Sequence, residues 1–252
     1  MNEGAAETTG TGRHTGVWSA NRYRLSVTDA GALTVNENYV RCDGLQVTVV
    51  SPTASTRQVI SLTSGTIDAG NAFYLSNSLI LGHGHGTHSQ SGVSIGDADA
   101  NVTMWNCIVY GIGTPSGSRA VACAGTSANL YGCTLIGGGN ALRCTAGTTA
   151  AKNVYAGGSS SEDFYTSATL AKTNCASEDQ SADDTGTGET ATNCVAAAVD
   201  CTTAGVTFTD PANGDFRVAD TDSALYGVGA TLTDDPPGST ALGVDIAGNA
   251  RS

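Results

Sequence analysis

A repeat along the middle of the chain constrains the fold more than any other feature. Its segments share one form, in which a polar, Cys or Asn position precedes a short alternation of apolar and polar residues and, in the first four, a glycine turn. They are LSNSLILG (75–82), WNCIVYG (105–111), YGCTLIGG (131–138), AKNVYAGG (151–158) and AKTNCASE (171–178). The positions taken as equivalent lie 29, 26, 20 and 22 residues apart and are Ser78, Cys107, Cys133, Asn153 and Cys175.

A second short strand recurs inside each step of the repeat. It is found at GVSIG (92–96), AVACAG (120–125), ALRCTAG (141–147) and DFYTS (163–167). Short strands with insertions at the turns are typical of a solenoid, because each coil must stack on its neighbours to bury its apolar side chains. Coils stack ~4.8 Å apart, so equivalent side chains lie above one another. The sequence therefore predicts an all-β solenoid.

Composition agrees with this prediction and excludes several classes of protein. The 33 glycines disfavour long helices. No apolar run approaches the roughly 18 residues that a membrane helix needs. A net charge of −12 repels nucleic acid but is compatible with calcium. The first residues, MNEGAAETTGTG, lack a secretory signal, so we expect a chain that is trimmed or that leaves the cell by another route, for example inside a phage particle.

Five of the eight cysteines fall into two predicted columns of stacked side chains. The first column contains Cys107, Cys133 and Cys175, and the second contains Cys123 and Cys144. Small, polarizable thiols suit such stacks. We therefore expect buried free thiols, unreactive in the folded protein, rather than disulfides.

Two cysteines lie after the columns, beyond an acidic stretch. Cys194 and Cys201 are seven residues apart and are the candidates for a disulfide, whereas no CxxC spacing occurs. The stretch ASEDQSADDTGTGET (176–190) has no apolar period and lacks the register of an EF-hand loop. We expect it to be a solvated loop that leaves the last full coil.

The repeat, over residues 39–178, resembles the right-handed parallel β-helix, or pectate-lyase-like, superfamily. The end of the chain is similar to the closing segment of bacterial surface, phage and metagenomic β-helix proteins, in which F-x-D-P-x-x-G-D-F-R-L precedes D-I-D-G-x-x-R. The matching residues are Phe208, Asp210, Pro211, Gly214, Asp215, Phe216, Arg217, Asp245, Ile246, Gly248 and Arg251. Those relatives usually continue into D-I-G-A-x-E, so we expect a shortened member or a fragment.

This resemblance implies a single right-handed parallel β-helix of about six or seven coils. An open β-helix exposes a sheet edge at each end, and such edges need covering. We therefore expect residues 1–38 to form an N-terminal segment and cap, 39–198 the β-helix, and 199–252 a C-terminal cap. The aromatic residues of both terminal segments, Phe208 and Phe216 among them, are expected to fold over the ends.

The stretch LGHGHGTHSQSGV (81–93) raises the question of catalysis. β-Helix polygalacturonases carry a G-H-G motif, and two overlapping copies occur here, at His83 and His85. Glycoside hydrolysis also needs two carboxylates placed across the bond. The family supplies them from an upstream N-T-D and D-D, whereas here no N-T-D occurs and both D-D pairs lie far downstream. The histidine motif therefore lacks its carboxylates.

The same histidines form an H-x-H-x-x-H pattern. In an extended segment His83 and His85 point to the same side, so they are candidate ligands of one transition metal, with His88 as a third. The pattern resembles the iron-binding H-x-H of phage membrane-piercing spikes, although there it lies at the C-terminal tip. A solvated, glycine-rich turn with exposed rings is the preferred interpretation, and a Zn, Ni or Fe site is the alternative.

A lyase site is the other enzymatic alternative. Lyases of this fold use Arg or Lys as the base and calcium to stabilise the anion. Arg119 and Arg143 lie on second strands, where we expect them to point outward along one face. Asp97 and Asp99, in a nearby turn, are candidate calcium ligands. Lone arginines and acidic turns also decorate any solenoid.

The leading hypothesis is a non-enzymatic extracellular or virion-surface protein, such as a fibre, tail spike or adhesin. It would present a stacked face to a glycan or to a cell-surface or virion protein, as a monomer or a homo-oligomer such as a trimer. It requires no cofactor, binds no nucleic acid and has no membrane span. The alternative is a polysaccharide lyase or glycoside hydrolase acting on an acidic polysaccharide. A scaffold that repeats into a larger assembly is the third class.

Overall fold

The computed structural model describes residues 14–50, 56–63, 72–83, 87–196 and 208–218. Within these ranges the chain forms strands and turns, without an α-helix, and most strands belong to three parallel sheets. Sheet A has seven strands, in the spatial order β1 (Leu25–Thr28), β4 (Gln46–Val50), β7 (Leu79–Leu81), β10 (Ile108–Ile112), β13 (Thr134–Gly137), β16 (Tyr155–Gly157) and β19 (Ala176–Ser177).

Sheets B and C are built in the same way. Sheet B has six strands, β2 (Leu33–Val35), β5 (Arg57–Leu62), β8 (Gln90–Ile95), β11 (Arg119–Cys123), β14 (Asn140–Cys144) and β17 (Phe164–Thr166). Sheet C has seven, β3 (Arg41–Asp43), β6 (Ala72–Ser76), β9 (Asn101–Trp105), β12 (Ser127–Tyr131), β15 (Thr148–Lys152), β18 (Thr169–Thr173) and β20 (Glu189–Thr192).

The chain passes through the sheets in the order A, B, C from β1 to β19. Each inner strand of a sheet therefore pairs in parallel with the strand one circuit before it and the strand one circuit after it, and each end strand has one such partner. This arrangement is all-β and solenoid-like, as the repeat predicts, and it is consistent with a parallel β-helix. Because β1 and β2 are strands of sheets A and B, part of the predicted N-terminal cap lies inside the stack itself. No helix in the described ranges is long and apolar enough to span a bilayer.

The interior consists of columns of side chains set by strand register. In sheet B, Val93, Val121, Leu142 and Phe164 are aligned by pairing, and all four are buried. Alternation along each strand sends every second side chain inward, so one apolar residue per strand extends the column. Fully burying a side chain of this size contributes about 1.5–3 kcal/mol, which explains why the apolar alternation recurs in each circuit.

The turn from sheet C to sheet A contains a left-handed residue in each circuit. Its φ lies between 47° and 73°, and the positions are Gly44, Asn77, Asn106, Gly132, Asn153, Asn174 and Asn193. Glycine and asparagine are the residues that adopt this conformation most readily. In one step of this asparagine ladder, the Asn106 side-chain amide donates to Oδ1 of Asn77 at 2.8 Å.

The position of Asn153 in this asparagine ladder shows that one member of the predicted cysteine column is wrong. Asn153 belongs with the left-handed asparagines, and Val154, one residue later, occupies the buried position that Cys133 and Cys175 hold in neighbouring circuits. The sequence comparison placed Asn153 there because an asparagine and a cysteine both mark the turn, one residue apart. The corrected column also extends to Cys194, since Val195 N–H donates to the Cys175 carbonyl across the next circuit.

The described cysteines are free thiols, as predicted for the columns. Cys123 pairs in register with Cys144, and both are buried. Cys194 stacks on Cys175 and carries a free thiol, whereas Cys201, its predicted disulfide partner, lies outside the described residues.

The C-terminal hairpin packs against the side of the stack. It consists of β21 (Phe208–Asp210), a 3₁₀ helix (Pro211–Asn213) and β22 (Asp215–Val218). Phe208 lies edge-to-face against Tyr155, with ring centroids 5.0 Å apart, and Phe216 lies 5.3 Å from Tyr110. These tyrosines belong to a cluster on the outer face of sheet A, separate from the interior. These two phenylalanines thus contact the side of the stack, and the predicted cap formed by residues 199–252 stays a prediction, since most of that segment lies outside the described residues.

Candidate functional site

The outer face of sheet B carries the row of side chains that best fits a binding surface. Register aligns Ser94, Ala122, Arg143 and Tyr165, one from each of β8, β11, β14 and β17. Each lies one residue after a buried position of the interior column, so alternation directs it away from the core. The surface therefore changes from small and polar to cationic and aromatic along the axis.

A shallow cavity of about 180 Å³ opens beside this row. The polar residues that line it are Ser91, Ser94, Arg119, Arg143 and Thr145. Small residues, including Gly96, Gly117, Ala122 and Ala124, form the rest of the wall together with Ile95 and Cys123. Arg119 and Arg143 are the charged side chains among the described residues that line it. No acidic residue is among the described residues that line it.

Arg119 is anchored to the backbone of the preceding turn. Only 6% of the residue is exposed. Its Nη1 donates to the carbonyl oxygens of Ser116 at 2.6 Å and of Ser118. Burial and the neighbouring Arg143 guanidinium lower the pKa of Arg119 from its ordinary value. The prediction was that Arg119 projects outward, but along β11 it is in phase with the buried Val121 and Cys123, and it forms a fixed wall of the cavity.

Arg143 is more accessible and is held by an aromatic ring. Its guanidinium carbon lies 5.4 Å from the ring centroid of Tyr165, within cation–π range. Within the described part of the chain, Nε of Arg143 and Nε of Arg119 are buried and have no hydrogen-bond partner. A buried donor without a partner is unfavourable by roughly 1–3 kcal/mol.

The predicted calcium ligands do not belong to this cavity. Asp97 is fully buried, and its Oδ1 accepts a hydrogen bond from the Asp99 N–H at 2.9 Å. This hydrogen bond belongs to a local turn at residues 97–99, and it gives one oxygen of the buried Asp97 carboxylate a partner within the chain. Among the described residues no group of three His, Cys, Asp or Glu side chains is arranged to hold a metal ion.

The histidine stretch is described only in part. His83, two residues after the end of β7, is exposed, and His88, two residues before the start of β8, is half-buried. His85 lies outside the described residues. The stretch joins sheet A to sheet B, where a solenoid can take up extra residues without disturbing its strands. The interpretation of a transition-metal site stays a prediction.

A second polar cluster lies at the last circuit of the stack. The sequence analysis did not predict it. Lys172 points into the stack, aligned with Ala151 and Ala191 of adjacent strands. Its Nζ donates to Glu189 Oε2 and to the Ser181 carbonyl, each at 2.7 Å. The alternation of Leu170 and Lys172 in TLAKT is the signal that places the lysine inside.

The acidic stretch supplies part of this cluster and is not a wholly solvated loop. Ser181 and Ala182 are buried. Asp163 Oδ2 accepts hydrogen bonds from the N–H groups of Glu178 and Asp179 at 2.9 and 3.1 Å, and Asp163 N–H donates back to Asp179 at 2.9 Å. Burial raises the pKa of Asp163 to about 6. These reciprocal bonds fix the stretch against the end of sheet B.

Comparison of the chain with protein-family models, with curated protein sequences and with solved structures finds no match.

Proposed function

We propose that this chain is a non-enzymatic, right-handed parallel β-helix of six or seven coils that works outside the cell or on a virion and binds a glycan on the outer face of sheet B. The observation that carries the proposal is the cavity formed by Arg119 and Arg143. The resemblance of the repeat and of the C-terminal segment to phage and bacterial surface β-helix proteins supports the location. Parallel strands joined by crossovers are right-handed in about 98% of cases, which supports the handedness.

Three features of the cavity favour a sugar chain over a flat protein partner. The cavity spans three neighbouring strands, its small polar residues offer hydroxyl groups, and Tyr165, next to the lining residue Arg143, offers an aromatic ring beside a cation. Aromatic faces and fixed hydrogen-bond donors are the groups that recognise sugar rings and their substituents. Two guanidinium groups without a carboxylate among the described lining residues favour a substituent with negative charge, such as a carboxylate or a sulfate.

The net charge of the chain limits the affinity for an anionic glycan. With a net charge of −12, the protein as a whole repels polyanions. Contact between exposed charges is also screened at physiological ionic strength. We therefore expect weak binding of a single acidic unit at the cavity and a decrease in affinity with added salt, not high-affinity binding along a polyanion.

The test is calorimetric titration of the full chain with three probes: oligogalacturonate, a sulfated oligosaccharide and neutral dextran. The proposal expects binding of at least one anionic probe, and an at least tenfold loss of affinity in Arg143→Gln. The matched control is Lys152→Gln, which removes a cation from the outer face of sheet C, over Tyr131. Equal affinities of the two variants would contradict the assignment of the cavity, as would a lack of binding to every glycan.

A specific observation favours the enzymatic alternative. The lowered pKa of the buried Arg119 is the direction that a lyase base requires. Incubating each bound glycan with the protein, with and without calcium, and following both the ultraviolet absorbance of unsaturated products and new reducing ends separates the two functions. Binding without products supports the glycan-binding protein, and products that are lost in Arg119→Gln support a lyase.

A further inference from the structure

The last rung of sheet C places two cysteines of different accessibility next to each other. Cys175 follows β18 and is fully buried, and Cys194 follows β20, the final strand of the sheet, and is half-buried. The Cys175 N–H donates to Sγ of Cys194 at 3.4 Å. We propose that Cys175 and Cys194 form a redox-active dithiol, which a small-molecule disulfide oxidises to an intramolecular disulfide.

The geometry of the stack suits this bond. Adjacent parallel strands lie ~4.8 Å apart, and disulfides form between Cα atoms separated by about 4.4–6.8 Å. The register of β18 with β20, and the hydrogen bond from Val195 N–H to the Cys175 carbonyl, hold the two residues on adjacent rungs. Cys194 is therefore within reach of Cys175 without a change in the strands.

Accessibility distinguishes this pair from the other stacked cysteines. Cys123 and Cys144 also lie side by side, but both are buried, so a reagent in solution does not reach them. Cys42, at the other end of sheet C, is half-buried but is aligned with Leu75. Among the described cysteines, Cys194 alone combines partial exposure with a stacked thiol.

The surroundings of Cys194 favour its thiolate. Hydrogen bonding from Cys175 lowers the pKa of Cys194 to about 6, with a smaller contribution from Lys172. The same contact and burial raise the pKa of Cys175 well above its ordinary value. At neutral pH, Cys194 is thus the attacking group and Cys175 the resolving thiol.

The reaction balances with glutathione disulfide as the oxidant. The Cys194 thiolate attacks one sulfur of the reagent, the reagent S–S bond breaks, and one glutathione thiolate leaves. The Cys175 thiol then loses its proton and attacks Cys194 Sγ, which releases the second glutathione. The protein loses two electrons and two protons, and the reagent is reduced to two thiols.

The resulting bond would clamp β20 and the acidic stretch to the stack. The two cysteines are 19 residues apart, so the bond closes a loop that contains Ser181 and Glu189. Closing a loop of this length restricts the unfolded chain, and a rise in melting temperature of about 5–10 °C is expected.

The test is oxidation of the full chain with glutathione disulfide under native conditions, followed by alkylation and peptide mapping. Cleavage after Glu and Asp separates Cys175, Cys194 and Cys201, because acidic residues lie between them. The proposal expects a Cys175–Cys194 link in the parent and in Cys201→Ser. It expects a glutathione adduct on Cys194 in Cys175→Val, a substitution that copies Val154 in the same column. In Cys194→Ser, Cys175 should stay unmodified.

Cys42→Ser is the matched control and should behave as the parent in both the link and the melting temperature. Either of two results overturns the proposal: a link from Cys194 to Cys201, or full alkylation of Cys194 after oxidation. If the Cys175–Cys194 link leaves the melting temperature unchanged, the disulfide does not stabilise the attachment of β20 and the acidic stretch to the stack.

Discussion

Lys172 and Glu189 form an ion pair at the end of the solenoid, with 2.7 Å between Nζ and Oε2. The lysine side chain is fully buried, and the glutamate side chain is 12% exposed. Lys172 also donates to the Ser181 carbonyl, so the pair connects β18, β20 and the acidic stretch. Such a pair adds little net stability over apolar packing, but removing one partner leaves an uncompensated charge in the interior.

The first prediction follows from that asymmetry. Glu189→Gln should lower the free energy of unfolding by about 2–4 kcal/mol, because it leaves the Lys172 charge buried without its counter-ion. Lys172→Met combined with Glu189→Gln should be more stable than Glu189→Gln alone. Lys152→Met, on the outer face of the same sheet, should change stability by less than about 1 kcal/mol. Urea unfolding measures all three, and parental stability of Glu189→Gln would contradict the prediction.

A pH dependence follows from Asp163. Its pKa of about 6 in the folded protein lies above the ordinary value of 3.8. The fold therefore favours the neutral carboxyl, and this contribution is fully present below pH 4 and is lost as the pH rises through 6. Asp163→Asn should remove roughly 1–3 kcal/mol of pH dependence between pH 4 and 7, after allowance for solvent screening.

The measurement is the difference in unfolding free energy between parent and Asp163→Asn at several pH values. The free energy of unfolding of Asp163→Asn, relative to that of the parent, should be lower at pH 4 than at pH 7. Asp99→Asn, which replaces an exposed carboxylate of another turn, is the matched control variant. An equal pH slope in parent and Asp163→Asn would show that Asp163 titrates normally.

How much of this was predictable depends on what each residue contacts. The alternation around Cys123 and Cys144 places both in the interior, because the period of a strand fixes the direction of its side chains. In the predicted cysteine column, Asn153 takes the place that belongs to the next residue, Val154. The sequence does not show which residue of a turn takes the left-handed conformation. Lys172 has a local signal in the alternation of TLAKT, but its partner Glu189 comes from the next circuit, so the sequence contains no local pattern for the ion pair.

The cavity was predictable only in part for the same reason. Arg143 follows from alternation, and the same alternation puts Arg119 in phase with the buried Val121 rather than outward. The conformation of Arg119 depends on the carbonyl oxygens of Ser116 and Ser118. Those contacts depend on the path of the turn before β11, which periodicity does not define. Tyr165 lies in the predicted strand DFYTS, but its place beside Arg143 required the register between circuits.

The thiols provide a test of the buried columns. In the reduced native protein, Cys107, Cys133, Cys123 and Cys144 should resist a maleimide reagent, because each is almost fully buried. Cys42 and Cys194 are half-buried and should react first. Mass spectrometry after brief labelling, with and without denaturant, locates the modified residues. Rapid labelling of Cys123 or Cys144 without denaturant would be inconsistent with the register of β11 and β14.

A metal effect on stability would test the histidine stretch. If His83 is an exposed residue of a plain turn, zinc or nickel should leave the melting temperature unchanged. A ligand that binds only the folded protein raises the melting temperature, and the stabilisation grows with the logarithm of the ligand concentration over its Kd. A rise of several degrees in the parent that disappears in His83→Ala plus His85→Ala would establish a transition-metal site instead.

The asparagine ladder gives the last prediction. Asn106 has a φ of 56°, is almost fully buried and donates to Asn77 Oδ1. Asn106→Ala should lower the free energy of unfolding by about 2–3 kcal/mol, because it adds the strain of a left-handed alanine to the loss of a buried hydrogen bond. Asn106→Gly should cost about 1 kcal/mol less, since glycine adopts the conformation freely, as Gly132 does at the same position one circuit later. Chemical unfolding of both variants decides the matter: equal losses would mean that the hydrogen bond alone maintains the turn, and no loss in either would exclude a stabilising role for the ladder.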